Sequence, residues 1–165
     1  MRAFAPFVFY KLDVHYDRCV VMPSEWRKGP YSISTDVERL DVGLIHRFLS
    51  TSSYWAQRRT LSVVKKSLQN SVNFGLYEGK SQIGFARVVT DCSTFAWLAD
   101  VFVLPAYRGR GLSKWLLSII VNYSEFVGMR RWVLATKDAH ELYRKFGFTA
   151  LENSDRWMER FDPEA

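Results

Sequence analysis

The chain has 165 residues, 48% hydrophobic and 16% aromatic, which excludes a disordered polypeptide and suffices for one domain with a real core. A net charge of +6 and a pI near 9.4 favour anionic ligands, among them coenzyme phosphates, nucleic acid and acidic membranes. Cys19 and Cys92 lack CxxC or metal-like spacing and the three histidines are scattered, so no metal is expected and reduced thiols in a cytoplasmic setting are.

Residues 1–29 read as an N-terminal extension, partly ordered, and residues 30–165 as the main domain. Ala3 to Tyr10 is a short apolar run broken by Pro6, too short for a signal-peptide core and without a small-residue cleavage site. Leaving Phe4, Phe7, Phe9 and Tyr10 in water is costly, so an extra strand against the sheet and a looser extension both stay open. No apolar run in the chain approaches the roughly 20 residues that span a bilayer, so no membrane partner is expected.

From Pro30 the pattern becomes regular. Tyr31 to Ser34 reads as a strand, and Asp41, Leu44, Ile45, Phe48 and Leu49 mark a helix of about three turns. A polar link, Ser50 to Ser53, turns aromatic at Tyr54 and Trp55, and a second helix runs from about Thr60 to Gln69. Val72 to Tyr77 and Gln82 to Thr90 form a hairpin around Glu78-Gly79-Lys80. Thr94 to Leu104 is a nearly continuous apolar strand whose sole charge is Asp100, and such runs suit a strand covered on both faces. Pro105 ends it, and Tyr107-Arg108-Gly109-Arg110-Gly111 lets the backbone turn tightly. Leu112, Trp115, Leu116, Ile119, Ile120 and Tyr123 then fall at helical spacing. A strand at Arg131 to Thr136, a helix at Ala139 to Phe146 and a last strand near Arg156 to Phe161 complete the chain.

The free amides at the start of the long helix, with Arg108, Arg110 and Lys114 around them, make an anion site suited to a pyrophosphate. The chain lacks GxxxxGK[ST], and Lys114 breaks the dinucleotide fingerprint G-x-G-x-x-G. The hexapeptide Arg108-Gly109-Arg110-Gly111-Leu112-Ser113 closely resembles the coenzyme A signature [QR]-x-x-G-x-[GA] of the GNAT superfamily of N-acetyltransferases, with Ser in the last place. Leu142-Tyr143-Arg144-Lys145-Phe146-Gly147-Phe148 resembles a second phrase of that family.

The resemblance implies the GNAT acyl-CoA N-acyltransferase fold: an α+β architecture whose mixed, mostly antiparallel sheet carries helices on both faces. The order βααβββαβαβ fits it. It also implies acetyl-CoA as co-substrate, with pantetheine lying between two splayed strands and pairing with the backbone of Phe102 and Val103. Pyrophosphate would rest on the amides of Arg108, Gly109, Arg110, Gly111, Leu112 and Ser113. Asp138 stands where the family often has an Asn near pantetheine, and an ionised Asp cannot donate. Tyr143 occupies the family's general-acid position and is otherwise a core tyrosine at helical spacing. Asp100 is either the general base or one half of a structural ion pair with an arginine such as Arg87. Tyr54, Trp55 and Trp97 are candidates for acceptor contact, with core or cap positions as the alternative. His140 caps its helix or contacts cofactor.

The expected function is therefore acetyl transfer to a primary amine of a small molecule through a ternary complex, by a monomer or homodimer with no metal. Arg58, Arg59, Lys65 and Lys66 favour an amine bearing its own acidic group over a polyamine. A silent acyl-CoA-binding module and a protein-amine acetyltransferase are the rivals. A nucleic-acid partner is not expected, because beyond charge and a single RGRG no recognised binding motif is present.

Overall fold

The computed structural model describes residues 22–162, so the readings placed on Ala3 to Tyr10 and on Cys19 fall outside the described residues. Six strands form one sheet whose spatial order matches the chain order, β1 to β6. They are Glu25–Lys28 (β1), Tyr31–Ser34 (β2), Val72–Glu78 (β3), Ser81–Thr90 (β4), Phe95–Val103 (β5) and Arg131–Val133 (β6). Neighbours run antiparallel except β5 and β6, which are parallel. Parallel neighbours need a crossover, and Leu112–Val121 (α3) supplies it. β1 lies within the segment before residue 30 and pairs along its whole length with β2.

Val42–Arg47 (α1) and Leu61–Gln69 (α2) cover one face. Asp41 caps α1 by accepting from the Leu44 N–H at 2.8 Å, and the Thr60 hydroxyl caps α2 by accepting from Val63 at 3.4 Å. Ile45 of α1, Phe48 and Leu49 directly after it, and Val64 and Leu68 of α2 pack on Phe85 and Phe102 of the sheet, with the Phe48 and Phe102 rings stacked 3.9 Å apart. The other face is covered by α3, whose Leu112, Leu116, Leu117 and Ile120 meet Phe74, Leu76, Ala86, Val88, Ala96 and Leu98. Each such side chain is worth about 1.5–3 kcal/mol on burial, so the two clusters fix α1, α2 and α3 against the sheet. His140–Arg144 (α4) adds Leu142 and Tyr143 to the α3 side.

Three expectations need correction. The helix expected over 41–49 passes after α1 into a π-helical turn at Phe48–Ser52, so the polar link begins later. The hydroxyls of Ser50, Thr51 and Ser53 bond back to the carbonyls of His46, Arg47 and Leu49 at 2.6–2.8 Å and compete with the helical amides, which widens the turn. No strand forms at 156–161 among the described residues. Glu159 and Arg160 interrupt the alternation there, and the Trp157 ring instead lies under the Arg131 guanidinium. Beside β6, residues 146–153 with Arg156 and Trp157 line a groove of about 830 Å³. Finally, Cys92 is disulfide-bonded, not the reduced thiol expected.

Candidate functional site

The split between β5 and β6 organises the site. Their ladder holds only from Phe95 opposite Arg131 to Trp97 opposite Val133, while β5 stays paired with β4 as far as Val103. The Leu104 N–H donates to the Ile83 carbonyl at 2.8 Å. In an antiparallel ladder this sets the alternation: Phe102 turns its amide and carbonyl toward Phe85, and Val103 turns its own toward the split. Of the two residues expected to pair with pantetheine, only Val103 faces the gap; the Phe102 ring packs under α1 instead. The Val103 carbonyl accepts from Arg108 Nε at 3.1 Å. Gly84 makes the β4 side of this region possible, because a Cβ there would meet the Phe102 carbonyl oxygen at 2.7 Å.

The glycine loop follows directly. Gly109 and Gly111 have φ of +77° and +75°, a region that disfavours any side chain, and nothing lies within 4 Å of where a Cβ would sit. Gly111 is the N-cap of α3, no side chain caps the helix, and its first bond runs from the Trp115 N–H to the Gly111 carbonyl. The amides before Trp115 are thus left to an outside acceptor. Open space in front of uncapped amides fits a phosphate group, as expected for Arg108 to Ser113. Buried Leu112 anchors the helix start. The Arg110 guanidinium turns away to the sheet: it donates to the Tyr31 hydroxyl and the Ala106 carbonyl, both at 3.0 Å, and lies over the Tyr107 ring. Its contribution to the cradle is its backbone.

Across the split stands Tyr143, half-buried on α4 with its ring edge-on to Phe148 at 5.9 Å. Burial pushes its phenol up to about 12, and Tyr54 and Asp138 add to the rise. Tyr54 reaches the same place from the link between α1 and α2, its hydroxyl accepting from the Lys137 N–H at 2.7 Å. Asp138 is exposed beside them, and His140 is not the cap of α4, whose N-cap is Ala139.

Asp100 sits in a β-bulge, where Asp100 and Val101 together oppose Ala86 of β4. Its φ of +54° is left-handed, and the bulge turns its side chain to the α1–α2 face. Only 5% of the residue is exposed. Oδ2 accepts from Arg87 Nε at 2.5 Å and Arg59 Nη1 at 3.1 Å; Oδ1 accepts from Arg59 Nη1 at 3.2 Å and Trp55 Nε1 at 3.1 Å. The ion pair with Arg87 is therefore formed, and Arg59 joins it. Sequence reading missed Arg59 as a partner; the signal available was that a lone carboxylate in an apolar strand demands cations from elsewhere. Trp55 meets Tyr54 edge-on at 4.9 Å and is brought to Asp100, whereas Trp97 lies on the same face of β5 without a ring contact to them among the described residues. Among those residues no group of His, Cys, Asp and Glu is arranged to hold a metal, and no helix is long and apolar enough to cross a membrane.

The site is thus a mixed sheet split beyond Trp97 with a glycine-capped helix following its fifth strand. A family model described as "Acetyltransferase (GNAT) domain" matches residues 69–150. A Gibberella zeae protein provisionally named an acetyltransferase, FG08082, is 31% identical over 76% of this chain and 82% of its own length. The crystal structure of a GNAT-family protein from Xanthomonas campestris superposes with a TM-score of 0.79 at 45% identity, covering 81% of this chain and 94% of that one. A Clostridium acetobutylicum protein solved with acetyl-CoA shares the fold at 16% identity and a TM-score of 0.60, covering 79% of this chain and 94% of its own. The chain belongs to the GNAT family of acetyltransferases.

Proposed function

We propose that the protein transfers the acetyl group of acetyl-CoA to a primary amine of a small molecule, by direct attack within a ternary complex. The observation that carries this reading is the end of β5: the Val103 N–H turned toward the split, followed directly by the uncapped amides of α3, with the Tyr143 phenol beside residues 132–136 of the segment that parts from β5. Acetyl-CoA would supply the acyl group as an activated thioester. The amides of residues 108–113 would hold its pyrophosphate. The Val103 N–H is free to donate to a developing oxyanion.

Tyr143 keeps its proton on Oη throughout the neutral range, since its phenol is pushed up to about 12. A thiol titrates near about 8.5, so full proton transfer to a thiolate runs uphill and Tyr143 serves chiefly as a hydrogen-bond donor to sulfur. Asp100 is poorly placed to act as a base, because both its oxygens already accept from cationic or indole N–H groups. In this reading Asp100 is a positioning residue for Trp55 and Arg59, and the amine loses its proton to water. Tyr54, Trp55 and Trp97 would contact the acceptor.

The test is release of the coenzyme's free thiol from acetyl-CoA in the presence of a panel of small amines and a lysine-containing peptide. Amine-dependent release with a small amine is expected. Transfer to the peptide alone would replace the acceptor class with protein. Tight acetyl-CoA binding with no transfer to any amine would make the protein a silent acyl-CoA-binding module.

A further inference from the structure

The buried ion-pair cluster on the α1–α2 face is unbalanced. Two guanidiniums, Arg59 and Arg87, share the single carboxylate of Asp100. Arg87 spends a further donor on Ser71 Oγ at 3.0 Å and lies deep, with 12% of its side chain exposed. Arg59 gives only Nη1 to Asp100, makes no other side-chain bond among the described residues, and keeps 25% of its side chain open to solvent. The excess positive charge is therefore presented by Arg59, close to the half-open Trp55.

The backbone that delivers this charge is strained on both sides. Asp100 and Arg58, the residue before Arg59, both have left-handed φ, of +54° and +66°. The π-helical turn at Phe48–Ser52 leads into the same link, and His46 Nε2 fastens the Arg59 carbonyl at 3.2 Å. Strained backbone and π-turns persist where the surroundings over-determine them, and they cluster at ligand sites. A simple one-to-one salt bridge needs neither the second arginine nor this bending.

Resting on the acetyl-transfer reading, we infer that Arg59 binds the carboxylate of the acceptor, and that the acceptor is an ω-amino acid with its amine held at Val103. The span sets the length. Asp100 and Val103 are three residues apart on β5, or about 10 Å at the usual rise of an extended chain. A chain of five methylenes with one charge-assisted hydrogen bond of about 2.8 Å covers that distance. The α-amine of an amino acid adjoins its carboxylate and lies too close to it to bridge the two points. A polyamine would set a cation against Arg59. The apolar stem would run past Trp55, and Trp97 lies on the same face of β5.

The experiment compares 6-aminohexanoate with 6-aminohexanamide, which has the same length and amine but an uncharged carboxamide in place of the carboxylate. Both are tested as acceptors with acetyl-CoA and by calorimetric binding to the wild-type protein. The carboxylate should raise kcat/KM about 10- to 100-fold over the amide, the range open to a charge-assisted bond. That ratio should fall to about one in Arg59→Gln and be partly kept in Arg59→Lys; Arg87 still pairs Asp100 in both. Among ω-amino acids from 3-aminopropanoate to 8-aminooctanoate, efficiency should peak near six carbons. A wild-type ratio near one, a preference for the amide, or acetylation of other amines with both probes inert would each overturn the inference. If no amine is acetylated but 6-aminohexanoate binds and its amide does not, the carboxylate site stands and the acetyl-transfer reading falls.

Discussion

The Tyr54 hydroxyl accepts a hydrogen bond from the backbone N–H of Lys137 at 2.7 Å, so a single phenol ties the α1–α2 link to the loop before α4. Tyr54→Phe removes that acceptor without removing the ring. A hydrogen bond of this kind contributes about 1 kcal/mol net, so amide exchange at Lys137 should speed up about fivefold. Exchange at Lys137 no faster than in the wild type would mean that the two segments are held together by packing alone.

Gly111→Asp is expected to abolish stabilisation by acetyl-CoA. Its φ of +75° strains any side chain, and the new carboxylate would stand among amides left for an anion. In the wild type, acetyl-CoA at about a hundred times its Kd should add about 2.7 kcal/mol of stability. A melting temperature unmoved by millimolar acetyl-CoA in the wild type would remove the cradle from the proposal.

Tyr143→Phe should lower kcat about 100-fold or more while leaving acetyl-CoA binding in place, since the ring keeps its packing against Phe148 and only the donor is lost. Single-turnover acetylation is the measurement. An unchanged chemical step would return Tyr143 to a purely structural role.

Asp100→Asn tests the positioning role of Asp100 against a role as base. Asparagine tolerates the left-handed backbone and keeps the shape, so the change removes the charge and turns one accepting oxygen into an N–H donor. Two arginines then face a neutral amide, and breaking a buried pair of this kind costs about 3–5 kcal/mol. Urea denaturation should show that loss. Turnover abolished in variant protein shown to remain folded would instead mark Asp100 as the general base.

Alkaline pH should weaken the fold through two phenols. Burial pushes both Tyr77 and Tyr143 up to about 12. Between pH 10 and 12 the unfolded chain has released these protons and the folded chain still holds them, so stability falls as pH rises through that window. Below pH 10 neither group contributes a slope. The Tyr77 hydroxyl is buried with no hydrogen-bond partner among the described residues, so Tyr77→Phe should also stabilise at neutral pH by about 1 kcal/mol. Chemical denaturation from pH 8 to 12 with each Phe variant reads both effects.

Local chemistry made much of this legible in advance. Tyr31–Ser34 forms over the residues read as a strand, and Gly109 and Gly111 adopt the left-handed turn expected of a glycine-rich loop. What stayed hidden depends on partners far along the chain. The direction of the Phe102 amide is set by a bond between Leu104 and Ile83, and Asp100 changes face because one extra residue opposes Ala86. Period-2 reading assumes an unbroken ladder, so a bulge reverses its answer from that point on. Arg59 was invisible as a partner for the same reason: its contact with Asp100 spans 41 residues. The strand expected at 156–161 does not form among the described residues, and no strand of the sheet pairs with that segment.

The three-pair ladder between β5 and β6 also bears on how the molecule opens. β6 is bound to the sheet along Phe95–Trp97 only, whereas β4 and β5 are zipped along most of their length. The segment from β6 through α4 therefore forms the cheapest cooperative unit to release, a foldon of its own. A ligand that bridges the exposed flank of β5 to this unit would close the missing length of ladder. Coenzyme occupancy should then slow proteolytic nicking after Val127 far more than nicking in the β3–β4 hairpin, making the bound form kinetically more durable in one half of the molecule.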